Sequence, residues 1–261
     1  MRKAKKIFWV VSILILTLLS CTKDNGSDIK LIKKLVETSS DGKMVTTVFT
    51  YIGNQLVKTD SDQQHVDYTY VNGLITKIVT VNKINKTTTS LAFTYDNDQL
   101  VSLKSSDNYV IKFVKNADET VSYQKITLNA NNEEVKVYHG VLSFKNKNLI
   151  KDKRTFDDTE PGVISTYDVS YEYDLQKNSF YNILGYDKLL EHNDLISINN
   201  SQISVVESSI TNAADQIISS ANFYKSSFKY DKEGYPTEKV SESVMPSDGK
   251  SGYLKTEYFY E

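Results

Sequence analysis

Phe93-Thr94-Tyr95-Asp96-Asn97-Asp98-Gln99-Leu100 reads as the end of one strand, a turn and the start of the next. Two aromatics one residue apart close the first strand. Polar residues of the Asn and Asp type turn the chain, because they tolerate left-handed backbone angles and bond their own backbone. Leu100 opens the return strand. Side chains of a strand alternate between its faces, so Thr89, Leu91, Phe93 and Tyr95 share one face. Ser90, Ala92, Thr94 and Asp96 share the other. One face is apolar and aromatic and the other polar, the pattern of an antiparallel sheet that is wet on one side.

The unit recurs along the chain. Bulky residues at i and i+2 stand at Phe49/Tyr51, Tyr68/Tyr70, Ile111/Phe113, Leu142/Phe144, Tyr171/Tyr173, Phe228/Tyr230 and Tyr258/Tyr260. Turn material follows most of them, including Gly53-Asn54, Asn72-Gly73, Asn146-Lys147 and Lys232-Glu233-Gly234. An apolar residue then restarts the chain at Leu56, Leu74, Leu149 and Tyr235. Asn-Gly and similar pairs between alternating segments are strong hairpin signals. The spacing predicts an all-β, up-and-down antiparallel meander of roughly 14 to 16 strands. So long a sheet needs its edges removed, so it is expected to be strongly curved or closed into a barrel-like shape. The recurrence fails between Tyr173 and Phe228. There Leu189, Leu190 and His192 suggest one short helix within 186–195, and the segment Lys177–Asn200 is where function is expected to lie.

The N-terminus carries an address. Met1 to Lys6 is basic, and Ile7 to Leu19 is an apolar run, shorter than the about 20 residues a spanning helix needs. It closes with Leu18-Leu19-Ser20-Cys21, and Cys21 is the chain's single cysteine. The pattern resembles a bacterial lipobox, which implies a leader over 1–20, acylation of Cys21, a polar tether over 21–28 and one β domain over 29–261. Acyl chains contribute about 0.8 kcal/mol per buried CH2, and two anchoring signals already give stable attachment. Asp, an inner-membrane retention signal in enteric bacteria, is absent after Cys21. The expected location is therefore the outer membrane, on its periplasmic or its surface face. A spent Cys21 leaves no thiol for disulfides or metal binding.

Composition narrows the partners. The formal net charge is −2, and loss of Arg2, Lys3, Lys5 and Lys6 with the leader takes it to −6. Nucleic-acid binding wants a basic face and is not expected. His65, His139 and His192 are far apart and lack the spacing of metal ligands, so no metal or cofactor is expected. Asp157, Asp158 and Glu160 form the tightest acidic group. They could hold Ca²⁺ or supply half of an acid/base pair, but Pro161-Gly162 behind them reads as a charged hairpin turn. No nucleophile elbow or phosphate loop is present. The 18 tyrosines and 10 phenylalanines serve equally as a β core or as platforms for sugars and apolar ligands.

A spanning barrel would also alternate, but its strands need about 9–11 residues. Leu56 to Thr59 is shorter, and Lys77 shares the face of Ile75 and Val79 on strict alternation. A water-exposed domain on a lipid tether is the expectation. These features point to a non-catalytic, monomeric envelope protein that binds a glycan or a partner protein. The alternative is a periplasmic carrier that encloses a lipid or other apolar ligand in a barrel.

Two resemblances add to this. Tyr173-Asp174 and Tyr230-Asp231 with Gly234 resemble the tyrosine–aspartate repeats of Rhs-type proteins. Tyr171-Glu172-Tyr173-Asp174, Lys177-Asn178-Ser179-Phe180, Asn199-Asn200 and Tyr230 to Thr237 together resemble a family of Bacteroidetes cell-envelope lipoproteins of unknown function. That resemblance implies a porin-like β fold and carries no catalytic residues.

Overall fold

The computed structural model describes residues 29–131, 133–157, 159–243 and 253–261. The expected leader and tether, Cys21 and Asp158 lie outside the described residues. The first eight strands are β1 (Ile32–Ser39), β2 (Met44–Ile52), β3 (Gln55–Asp60), β4 (Gln64–Val71), β5 (Leu74–Asn82), β6 (Thr88–Asp96), β7 (Gln99–Ser105) and β8 (Tyr109–Lys115). Then follow β9 (Val121–Leu128), β10 (Glu134–Lys145), β11 (Asn148–Phe156), β12 (Ile164–Lys177), β13 (Asn199–Thr211), β14 (Ile217–Tyr230), β15 (Pro236–Ser243) and β16 (Tyr253–Tyr260). Each pairs antiparallel with its sequence neighbours, and β1 pairs with β16, which closes the barrel. The expected meander and its closure are both observed.

This topology assigns every turn to an end. The chain enters beside the turns that follow the even-numbered strands, and the other turns lie at the far end. Each aromatic pair sits at the finish of an even strand. The pairs therefore ring the inside of the barrel at the entry end, where Phe49, Phe93, Ile111, Phe113 and Leu142 are buried in one core.

The second member of the pair has a further role. Opposite Tyr51, Tyr70, Tyr95, Phe144 and Tyr230, the next strand carries one extra residue: Val57, Thr76, Val101, Ile150 and Thr237. Such a bulge takes backbone groups out of the ladder. Pairing of β5 with β6 stops at Lys77–Ala92, so the Ile75 carbonyl has no strand partner on that side. The Tyr95 hydroxyl donates to it at 2.8 Å. Tyr51 does the same for Ile32 at 2.8 Å, Tyr173 for Leu149 at 2.6 Å and Tyr260 for Pro236 at 2.8 Å. Tyr70 instead accepts from the Leu56 amide at 3.1 Å. The recurring tyrosine thus satisfies buried backbone groups that a bulge leaves open. Tyr95→Phe should cost about 1–2 kcal/mol, the penalty for an unmade buried hydrogen bond. Urea unfolding should show a lower midpoint at an unchanged slope.

The bulges also correct one reading. Thr76 is the extra residue of β5, so Ile75 turns inward and is fully buried while Lys77 faces out beside Val79. A strict period of two cannot show this, because an inserted residue flips every side chain beyond it.

The segment between β12 and β13 enters the barrel as a plug. The expected helix within 186–195 is absent. Two isolated 3-10 turns, Tyr186–Lys188 and Asn193–Ile196, take its place. Gly185 stands at a φ of 71° before the first, where a Cβ would lie 2.8 Å from the Gly73 carbonyl oxygen. Tertiary bonds hold the segment and break helical continuity. The Leu184 amide donates to the Asn54 carbonyl at 3.0 Å, and the Asn182 side chain donates to the Lys30 carbonyl at 2.8 Å. Ile183, Tyr186, Leu189 and Ile196 are buried against the aromatic ring.

Candidate functional site

The plug does not fill the barrel evenly. Its apolar side chains pack on the inward faces of β1 to β11, and the buried core lies there. The cavity-facing positions of β13 to β15 carry Ser204, Val206, Tyr224, Ser226, Lys239 and Ser241, with one aromatic among mostly small side chains. Small side chains leave space, and a cavity of about 640 Å³ remains beside them.

One wall of this cavity is aromatic, with Phe156, Tyr167 and Tyr171 from β11 and β12. The adjoining strands β13 to β15 present the hydroxyls of Ser204, Ser226 and Ser241 with Tyr224 among them, Ser204 pairing directly with Tyr171 and Tyr224, and the plug supplies Asn193 and Asp194. A second space of about 360 Å³ lies on the β1–β4 side, against Glu37, Gln64, Tyr68 and Tyr258. Asp194, Ser201 and Lys239 line both spaces, so they mark where the two meet. The lining reaches residues at the strand ends opposite the plug, Gln64, Phe156 and Leu254.

Arg154 and Asp152 set the electrostatics of the aromatic wall. The Asp152 side chain is only 5% exposed and accepts from Arg154 Nη2 at 2.8 Å. The Tyr123 hydroxyl donates to Asp152 and accepts from Arg154 Nε at 3.1 Å. The guanidinium also lies 4.5 Å from the ring centre of Tyr138 and 5.5 Å from that of Tyr167, within cation–π range. Gly140 makes room for this arrangement. A Cβ there would come within 2.5 Å of both the Tyr123 ring and the Lys153 carbonyl oxygen.

Lys239 faces two carboxyl groups, Glu37 from β1 and Asp194 from the plug. Burial raises the pKa of each, and the Lys239 charge opposes the rise. Glu191 is raised by burial against the pull of Lys125, and its Oε1 accepts from the Tyr109 hydroxyl at 3.5 Å. His192 stands edge-on to Tyr186 at 5.4 Å, and burial lowers its pKa to about 4. A histidine that resists protonation in the folded state makes stability fall as pH drops from 6.5 toward 4, because the unfolded chain binds the proton first. The raised carboxyls act in the opposite sense, adding stability as pH falls toward their unfolded values. His192→Gln should isolate the histidine. Relative to wild type, the variant should gain stability on acidification, by at most about 1.4 kcal/mol per pH unit within that window. Urea titrations at pH 7, 5.5 and 4.5 would measure it.

The other residues singled out in the sequence lie elsewhere. His65 sits on the outer face between Asp60 at 2.7 Å and Asp67 at 3.1 Å. His139, also outside, pairs with Asp157 at 2.9 Å. The backbone carbonyl of Glu160 accepts the Val163 amide in the β11–β12 turn. The structure does not bring these three groups together. Among the described residues no group of His, Cys, Asp and Glu could hold a metal ion. The aspartates of the Tyr-Asp pairs cap turns: Asp174 accepts from the Gln176 and Asn200 amides, and Asp231 from those of Glu233 and Tyr235. The Lys177–Asn200 segment supplies Asn193 and Asp194 to the cavity. The cavity serines and Arg154 were missed, although the small side chains of Ser204, Ser226 and Ser241 are visible in the sequence.

No family model and no curated protein matches the chain. Solved structures do. A porin-like protein from Bacteroides vulgatus ATCC 8482 matches with a TM-score of 0.52 at 12% identity, over 88% of this chain and 99% of that one. A porin-like protein from Bacteroides uniformis ATCC 8492 matches with a TM-score of 0.51 at 10% identity, over 88% of this chain and 98% of that one. At such identities the likeness is one of fold, and the fold of this chain is a porin-like β-barrel.

Proposed function

We propose that the protein is a non-catalytic binding protein of the cell envelope, tethered through an acylated Cys21, that takes a glycan into the lumen of its barrel. The cavity lined by the aromatics of β11–β12 and the serines of β13–β15 carries this reading. A sugar ring has an apolar C–H face and a rim of hydroxyls. Tyr167 and Tyr171 offer a surface for the first, while Ser204, Ser226, Ser241 and Asn193 offer partners for the second. The charges around the cavity include both signs, Arg154 and Lys239 against Asp152, Asp194 and Glu37, which favours a neutral polar ligand. A lipid carrier would want an apolar lining, and the serines and charges argue against one.

The outer face supports a barrel standing in water. Lys77, Lys112 and Lys153 point outward at mid-strand. Further round, Lys229, Glu238, Lys255 and Glu257 form a ladder of ion pairs at 2.8–3.3 Å. A lysine facing lipid at mid-bilayer costs about 2–4 kcal/mol, so this many would oppose insertion. Closure leaves no free sheet edge, which fits a monomer.

Calorimetry of the purified protein against neutral oligosaccharides would test the reading. Binding is expected, and Tyr171→Ala should weaken it about tenfold, equivalent to about 1.4 kcal/mol of lost stacking. A panel with no binder, together with a lipid identified by mass spectrometry in the extracted protein, would favour the carrier instead. Cys21→Ala should release the chain from the membrane fraction.

A further inference from the structure

We propose that the plugged end of the barrel rests on the surface of a lipid bilayer, with the lumen directed away from it. This inference rests on the reading of Cys21 as an acylated residue. Cys21 precedes Ile29 by eight residues, and extended chain spans at most about 3.5 Å per residue, so the anchor lies within roughly 28 Å of Ile29. Ile29 adjoins the plug, since Asn182 holds the carbonyl of the next residue, Lys30, at 2.8 Å. The far rim is carried by the long strands β12 and β14, each 14 residues. At the usual rise and tilt of barrel strands that rim stands on the order of 35 Å away. The leash is too short to bring an upright barrel down on its far rim.

The end that the leash holds near the bilayer is also apolar. Ile52 is 70% exposed, Tyr181 50% and Leu175 94%. Leu184 lies against Gly73 and bonds through its amide to Asn54, which places it with Ile52, Val71 and Tyr181 around the chain entry. Tyrosine is suited to the headgroup level, where one end of the ring is apolar and the other wet. Lysines and acids alternate on this rim, as in Asp174 and Lys177, Asp187 and Lys188, Lys232 and Glu233. The contact is therefore apolar and needs no anionic lipid. The far rim is apolar too, with Ile84 72%, Ile217 67% and Ile218 75% exposed, so the length of the leash and not apolarity selects the end that meets the bilayer.

Fluorescence can test the orientation. The chain has one tryptophan, Trp9, in the expected leader. The acylated mature protein, beginning at Cys21 and so free of Trp9, would be reconstituted in phosphatidylcholine vesicles with brominated acyl chains. The Tyr181→Trp and Leu175→Trp variants are expected to lose most of their emission, and an Ile84→Trp variant in the far β5–β6 turn is expected to keep it. Adding anionic lipid should change neither result. If protein that floats with the vesicles shows no quenching in either near-end variant, or quenching only in Ile84→Trp, the orientation is wrong and the anchor stands. If Cys21→Ala protein floats as well as wild type, the anchor itself fails, and the orientation loses its basis.

Discussion

Arg154→Met should destabilise the barrel by about 3–5 kcal/mol, the cost of breaking a buried ion pair by removing one partner. The geometry explains why. Methionine keeps most of the aliphatic stem but removes the cation from Asp152, whose side chain is 5% exposed. Tyr123 remains as a donor to Asp152, yet a single phenol does not replace a guanidinium that bonds to both groups. The loss should not come from packing alone, and a double variant separates the two. Asp152→Leu combined with Arg154→Met removes both charges and should recover a large part of the deficit, since apolar replacements of a buried pair are often neutral. Urea titrations of the two single variants and the double variant give the coupling energy directly. Coupling below about 0.5 kcal/mol would mean that the two side chains act independently. The prediction also bears on the site, because Arg154 forms part of the cavity wall and stacks on Tyr167.

The barrel was legible because its signal is local and repeated. Each aromatic pair names the end of an even strand, and the Asn, Asp and Gly turns name the hairpins, so strand order follows from a linear reading, which left a strongly curved and a closed sheet as alternatives. The bulges were not legible. Val57, Thr76, Val101 and Ile150 are ordinary strand residues, and only the pairing register across the sheet shows that they are extra. The plug was located but not shaped. Leu189 and Leu190 suggest a helix on spacing alone, whereas the backbone there is held by Asn54 and Lys30, distant in sequence. The cavity depends on what β13 to β15 lack, and serines at alternate positions read as a solvated face until closure turns that face inward.

Tyr186→Ala should loosen the plug while leaving the barrel closed. Tyr186 is buried, stacks on Phe180 at 4.8 Å between ring centres and meets His192 edge-on. Truncating a buried aromatic costs about 3–5 kcal/mol. Where that cost appears depends on how the parts are coupled. The strands pair into a closed ring without any contribution from the plug. The plug is held by few bonds to the strands, chiefly the Leu184 amide to Asn54, the Asn182 side chain to the Lys30 carbonyl, and Ser197, whose Oγ accepts the Leu149 amide at 3.0 Å. The cheaper response is local opening of the plug. Hydrogen exchange at the Ile183, Tyr186 and Leu189 amides should therefore accelerate about 100-fold, the factor for about 2.7 kcal/mol. Amides in β8 and β9 should change far less. Equal acceleration throughout would show that plug and barrel open as one unit. Local opening would instead make the plug separable, and Asn193 and Asp194 would then leave the cavity with it. Glycan affinity should fall in the same variant even though Tyr186 does not line the larger cavity.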